Sequence, residues 1–257
     1  MVNTQAIAVR TAHRLRIFNA FAGLVHFIQA IAVLSLTNDF SIPVTAFFLT
    51  GRPGTDPQVI TALFDFRIGW GVGAFLLMSA TAHLILILPG VFQWYIGQLK
   101  MRRNYARWIE YSFSSSLMIV IIGMLPGITD ISAMIALFGV NASMILFGLL
   151  MEKYEQPGSP SWTAFWFGTL SGLVPWIAIA FYLWAPSSTS EAPVFVYVIF
   201  FSLFIFFNSF ALNMVFQYRQ TWRWRNYLFG EYTYIFLSLT AKSLLAWQVF
   251  AGTLAGG

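Results

Sequence analysis

Seven runs of mostly apolar residues, each long enough to cross a bilayer, leave this chain few folds to choose from. They lie at about 15–37, 62–91, 104–126, 130–151, 162–185, 193–217 and 227–252 of the 257 residues. A spanning helix needs about 20 such residues, and little of the chain remains for anything outside the membrane. Composition agrees: 9% of residues are charged, against about 25% in soluble domains. The expected architecture is a single all-α domain over 1–257, a seven-helix membrane bundle. A β-barrel would need many short alternating segments, and these are absent. Breakers separate the runs. Pro126-Gly127 closes the third, Asp130 is placed to cap the fourth, Pro157-Gly158-Ser159-Pro160 follows the fourth, and Pro186-Ser187-Ser188-Thr189-Ser190 follows the fifth. Pro175 is expected to kink the fifth span.

Direction follows from the basic residues. Arg10, Arg14 and Arg16 precede the first span; Lys100, Arg102, Arg103 and Arg107 precede the third; Lys153 follows the fourth; Arg219, Arg223 and Arg225 precede the seventh. These eleven alternate along the chain and so share one side, whereas Arg52 and Arg67 take the other. The bias places the N-terminus in the cytoplasm and, after seven crossings, the C-terminus outside. It also explains the net charge of +5 and pI near 9.6 without nucleic acid as a partner. The N-terminal 16 residues are polar and show no cleavable signal. No cysteine is present, so disulfides and thiolate metal sites are excluded. The one long connection, about residues 38–60, lies outside, and its apolar run Val44-Thr45-Ala46-Phe47-Phe48-Leu49 allows a hairpin.

Lys242 is the only basic residue within the seventh span. A charge at mid-membrane costs about 2.5–3.5 kcal/mol on insertion scales, so it needs a reason. An amine in an apolar pocket can condense with an aldehyde, and in the last of seven spans the natural aldehyde is retinal. Glu110 in the third span is the expected counterion of that Schiff base. The competing reading pairs Glu110 with Arg107 at headgroup level. Ser114 and Ser238 each lie one turn from one of the two ionisable groups. Depth raises a difficulty. Glu110 lies about 24 Å from the outer end and Lys242 about 15 Å, so contact needs tilt, a helix irregularity or other boundaries.

More polar residues gather on the cytoplasmic side. His26 and Gln29 are three apart on the first span, and Ser79 and His83 four apart on the second, each pair sharing a helix face. Histidine can accept a proton near neutral pH. No tight ligand spacing supports a metal site. The outer half lacks such groups: Ile121 stands three turns outward of Glu110, which argues against an efficient pump. Candidates for the walls of a retinal pocket are Met144, Gly148, Trp166, Trp176, Phe207, Phe210 and Trp247.

The chain resembles the heliorhodopsins, retinal proteins distinct from ion-pumping microbial rhodopsins and from visual pigments. The matching segments are Arg107-Trp-Ile-Glu-Tyr-Ser-Phe-Ser-Ser-Ser116, Phe138-Gly-Val-Asn-Ala-Ser-Met-Ile-Leu-Phe-Gly148, Val174-Pro-Trp-Ile177, Phe206-Phe-Asn-Ser-Phe-Ala-Leu212 and Leu237-Ser-Leu-Thr-Ala-Lys-Ser-Leu-Leu-Ala-Trp247, with His26 and His83 in the first two spans. The resemblance implies a rhodopsin-like bundle with all-trans retinal on Lys242 and Glu110 as counterion. It implies Ser238, Ser114, Tyr111 and Trp108 around that pair, and a water-containing cytoplasmic cavity formed by His26, Gln29, Ser79 and His83. It implies an inverted topology, the same as the loop charges give, and a homodimer through spans four and five and the long outer loop. Pumping relatives carry an aspartate where Ser238 stands. Some family members carry a glutamine where Met214 stands. The expected role is light sensing, without enzymatic activity, read by a cytoplasmic signalling partner. Light-driven or light-gated transport, and light-dependent modulation of a partner enzyme, are the alternatives. A ligand-gated receptor would require Lys242 to stay a free amine.

Overall fold

The computed structural model describes residue 7 and residues 9–54, 59–184 and 191–254. The expected breaker Pro186-Ser187-Ser188-Thr189-Ser190 lies outside the described residues. The chain runs through α1 (Val9–Leu36), β1 (Ser41–Phe48), β2 (Val59–Arg67), α2 (Ile68–Leu86), α3 (Pro89–Lys100), α4 (Tyr105–Met124), α5 (Ile131–Tyr154), α6 (Thr163–Leu183), α7 (Val194–Tyr218), one 3₁₀ turn (Trp222–Arg225) and α8 (Tyr227–Leu254). Among the described residues, six helices are long and apolar enough to cross a membrane: α1, α2, α5, α6, α7 and α8. The remaining expected span, the third, corresponds to α4. Its 20 residues would rise about 30 Å, but Arg107, Glu110 and four serines make it the polar helix of the bundle.

Three boundaries need correction. The second span was expected over 62–91, yet residues 62–67 belong to β2, which pairs antiparallel with β1 from Ser41↔Arg67 to Phe48↔Val59. The fold is therefore not all-α: a hairpin fills the long connection. A short apolar run fits strand or helix equally by composition, and here the ladder with β1 satisfies its backbone. The hairpin is tied to the start of α5 by a Thr45 N–H bond to the Thr129 carbonyl (2.9 Å). At the other end, α2 stops at Leu86, and Pro89, at the first turn of α3, opens a separate helix. The first span also begins earlier than expected, so Arg10, Arg14 and Arg16 lie on α1 rather than before it.

Asp130 caps α5 as expected, accepting from the backbone N–H groups of Ser132 and Ala133. A bond from the Ser132 hydroxyl, together with those backbone donors, holds its carboxyl below the ordinary range. Pro175 is accommodated inside α6.

The bundle divides lengthwise. The starts of α1, α4, α6 and α8 and the ends of α3, α5 and α7 form one end, which is rich in Arg and Lys. The other half has an apolar core in which Val72, Phe75, Ile121, Ile122, Ile199 and Leu245 are buried. The boundary between the two is where Lys242 sits.

Candidate functional site

α8 runs unbroken through residues 227–254, and Lys242 near its middle is buried. Its Nζ donates to Glu110 Oε1 at 2.7 Å and to Ser79 Oγ at 2.5 Å. Ser79 Oγ is in turn 2.6 Å from Glu110 Oε1, with the Phe75 carbonyl 3.1 Å away as an alternative acceptor. The three side chains, from α2, α4 and α8, form a closed triangle. The ring of Tyr111 adds a cation–π contact, 5.0 Å from Nζ. Ser79, expected in the cytoplasmic cluster, is thus a direct partner of both charges.

The depth difficulty dissolves with the true helix ends. Met124 ends α4 fourteen residues beyond Glu110, and Leu254 ends α8 twelve beyond Lys242. Those rises are about 21 Å and about 18 Å. The difference is within the reach of a lysine side chain leaning towards its helix start. Glu110 does not pair with Arg107.

Ser114 and Ser238 are buried beside this triangle, and neither hydroxyl makes a well-formed hydrogen bond. Tyr111 donates to the Tyr234 carbonyl (3.0 Å) and so fastens α4 to α8. Towards the basic end, His83 Nδ1 is 2.8 Å from Asn19 Oδ1. Because Asn19 Nδ2 donates to the Leu15 carbonyl, its Oδ1 is the acceptor, so His83 donates from Nδ1 and its Nε2 is the nitrogen left without a proton. His26 stacks on His83, 5.9 Å between ring centres and 14° between planes. Both His26 nitrogens and Gln29 Oε1 are buried without a protein partner; buried polar atoms of this kind take water as partner.

An apolar cavity opens from Lys242 on the side facing α5, α6 and α7. Its walls include Met144, Gly148, Trp176, Phe207 and Phe210, together with Trp108 and Tyr111. Trp176 meets Phe204 and Phe207 edge to face, and Phe210 meets Tyr111 likewise. Trp166 and Trp247 are not part of it. Trp166 is 64% exposed and Trp247 41%. Helix phase is the reason: Trp166 lies about 200° around α6 from Gly168, which lines the cavity, and Trp247 about 140° around α8 from Lys242. Met214 also lines the cavity.

This cavity suits the group that the resemblance implies. A linear polyene needs one amine at the end of a narrow apolar slot, and glycine where the walls come close. At Gly148 a Cβ would stand 2.5 Å from the Trp108 ring. Gly148→Ala is therefore expected to push Trp108 into the slot. It should lower stability by about 1–3 kcal/mol and shift any absorption band of the loaded protein; an unchanged band and unfolding midpoint would show that Trp108 does not border the chromophore.

A second polar centre at the basic end was not anticipated. Arg107, which by sequence counts with the loop charges, is buried and bonds Glu152 at 2.6 Å and also Glu231. Its guanidinium lies over the rings of Trp108 (4.6 Å) and Tyr234 (3.9 Å). Glu152 receives four donors: Arg107, the Asn104 backbone N–H (2.8 Å), Trp108 Nε1 (2.6 Å) and the Tyr227 hydroxyl (2.9 Å). Asn104 Nδ2 donates to Glu231 (2.8 Å). Trp108 thus belongs to both places: its ring walls the cavity and its N–H is held by Glu152. One signal was available in the sequence. Glu231 stands eleven residues before Lys242, three full turns, and so on the same face of α8.

Among the described residues no group of three or more His, Cys, Asp or Glu could hold a metal ion. No curated protein matches the chain. A family model described as Heliorhodopsin matches residues 15–254, nearly its whole length.

Proposed function

The chain belongs to the heliorhodopsin family, light-sensing proteins with a retinal chromophore, and on that premise we propose a photoreceptor that carries all-trans retinal on Lys242. The observation that carries this reading is a buried amine at the end of an apolar slot, 2.7 Å from a carboxylate. When bound there, retinal supplies visible absorption and a double bond that light isomerises.

The protein's own groups do the rest. Glu110 balances the positive charge on the Lys242 nitrogen, and Ser79 ties the two. Ser114 and Ser238 supply hydroxyls that can turn as charge moves. Only one carboxylate serves the lysine, since Ser238 offers none. On the side of His83 and His26 lie the groups able to take the proton, with His83 Nε2 free to accept it. On the other side the wall is apolar. Ile121, Ile122 and Leu245 are buried, and no ionisable side chain is buried in that half among the described residues. A proton can shuttle within the basic half but meets no buried ionisable group among the described residues on the other side, which favours signalling over transport.

In this reading α4 is the third of seven crossings, its polar face turned to α2, α5 and α8 instead of lipid. The basic end is cytoplasmic, with the N-terminus inside and the C-terminus outside. Trp108, held by Glu152, links the retinal wall to that face, where a signalling partner would read the change; no catalytic role is assigned. A homodimer through α5, α6 and the hairpin is supported by exposed apolar residues there, among them Phe47, Phe64, Ile135 and Leu170.

Purified protein loaded with retinal and sealed in vesicles tests the reading. Illumination should bleach a visible band that then recovers, with no sustained pH change outside the vesicles. A steady light-driven pH change or photocurrent would establish transport instead.

A further inference from the structure

On the outside of the bundle, α1 and α8 start at the same basic end and leave a groove between them. Arg14, Ile17, Phe18 and Phe21 line it from α1, and Tyr232, Thr233 and Phe236 from α8. Ile17, Phe21 and Phe236 are more than half exposed, and Phe18 meets Tyr232 at 5.7 Å. The chemistry of the groove is ordered along its length. Arg14 stands at the rim, Tyr232 and Thr233 come next, and Phe21 and Phe236 lie deeper. Arg14 to Phe21 is seven residues, a rise of about 10 Å.

Its neighbour Arg16 is occupied by the Ile87 carbonyl (2.7 Å) and the Phe92 ring (5.3 Å). Arg14, the only charged residue in the groove, makes no hydrogen bond or ion pair with any described residue. A cation at headgroup level above an aromatic trough complements a phosphate joined to an acyl chain.

We propose that this groove holds one anionic phospholipid, its phosphate on Arg14 and one acyl chain along Ile17, Phe21 and Phe236. The site is separate from the retinal cavity and does not depend on that assignment.

The test uses the full chain in nanodiscs of equal phosphatidylglycerol and phosphatidylcholine, followed by mass spectrometry of the lipids that survive detergent washing. The parent protein should retain phosphatidylglycerol in preference to phosphatidylcholine. One arginine near the membrane surface contributes about 1 kcal/mol, so Arg14→Gln should lower that preference about fivefold. Arg219→Gln, at the same end but outside the groove, should leave it unchanged. Thr233→Trp, which fills the trough, should release the lipid while circular dichroism stays helical. Equal retention of both lipids by the parent, or an undiminished preference in Arg14→Gln, overturns the proposal. So does a dimer that Thr233→Trp converts to monomer with no loss of lipid, which would put a second copy of the chain in the groove.

Discussion

Lys242→Ala, expressed with retinal, is expected to show no visible band, only the near-ultraviolet absorption of unattached retinal. The amine that would carry the linkage is removed, and no second lysine reaches the cavity: Lys100 ends α3 and Lys153 lies in the last turn of α5. The single variant also strands Glu110. Breaking a buried ion pair by deleting one partner costs about 3–5 kcal/mol, so loss of colour alone could reflect a loosened bundle. Lys242→Met combined with Glu110→Gln removes both charges and keeps similar volumes. It should retain the helical spectrum and thermal transition of the parent and still lack the band. A visible band in either variant would detach retinal from Lys242.

Arg107→Met is expected to be the most destabilising single change at the basic end. The guanidinium and both carboxylates have side chains at most 4% exposed. Without Arg107 two carboxylates face each other in a site with no other cation, and the expected loss is about 3–5 kcal/mol. Replacing the whole set, Arg107→Met with Glu152→Gln and Glu231→Gln, should recover most of it, because apolar or neutral substitutes for a buried charge cluster are often near neutral in energy. Denaturant unfolding in detergent measures both. If Arg107→Met unfolds within about 1 kcal/mol of the parent, the cluster is not what holds α4, α5 and α8 together at that end. In the retinal-loaded protein the same variant should alter the recovery after illumination, since Trp108 loses the guanidinium over its ring and the Glu152 carboxylate that holds its N–H loses its cation.

Much of this centre was legible because charge in an apolar run is costly and therefore rare. Lys242 and Glu110 stood out on that ground, and the spacing of Ser114 and Ser238 placed a hydroxyl beside each. What failed was depth near the ends of spans. Arg107 has the position of an interfacial charge and reads as one; only the carboxylates of Glu152 and Glu231, on helices distant in sequence, draw it inside. Those two were in turn masked by their place close to the last turn of α5 and the first of α8, where charges usually meet water. Ser79 pairs with His83 by spacing, yet packing turns it to Lys242. Residues 62–67 show the limit of composition: an apolar run next to a helix reads as more helix until its partner strand is known. Trp166 and Trp247 show the limit of residue type, since an aromatic side chain suits lipid as well as a pocket, and only helix phase separates the two.

The central claim is that Lys242 is where retinal is held. Borohydride reduction of the retinal-loaded protein, followed by peptide mapping, tests it without any substitution. The retinyl adduct should be found on the α8 peptide at Lys242 and on no other lysine. An adduct at Lys100 or Lys153, or a coloured protein that yields no adduct at all, would contradict the account.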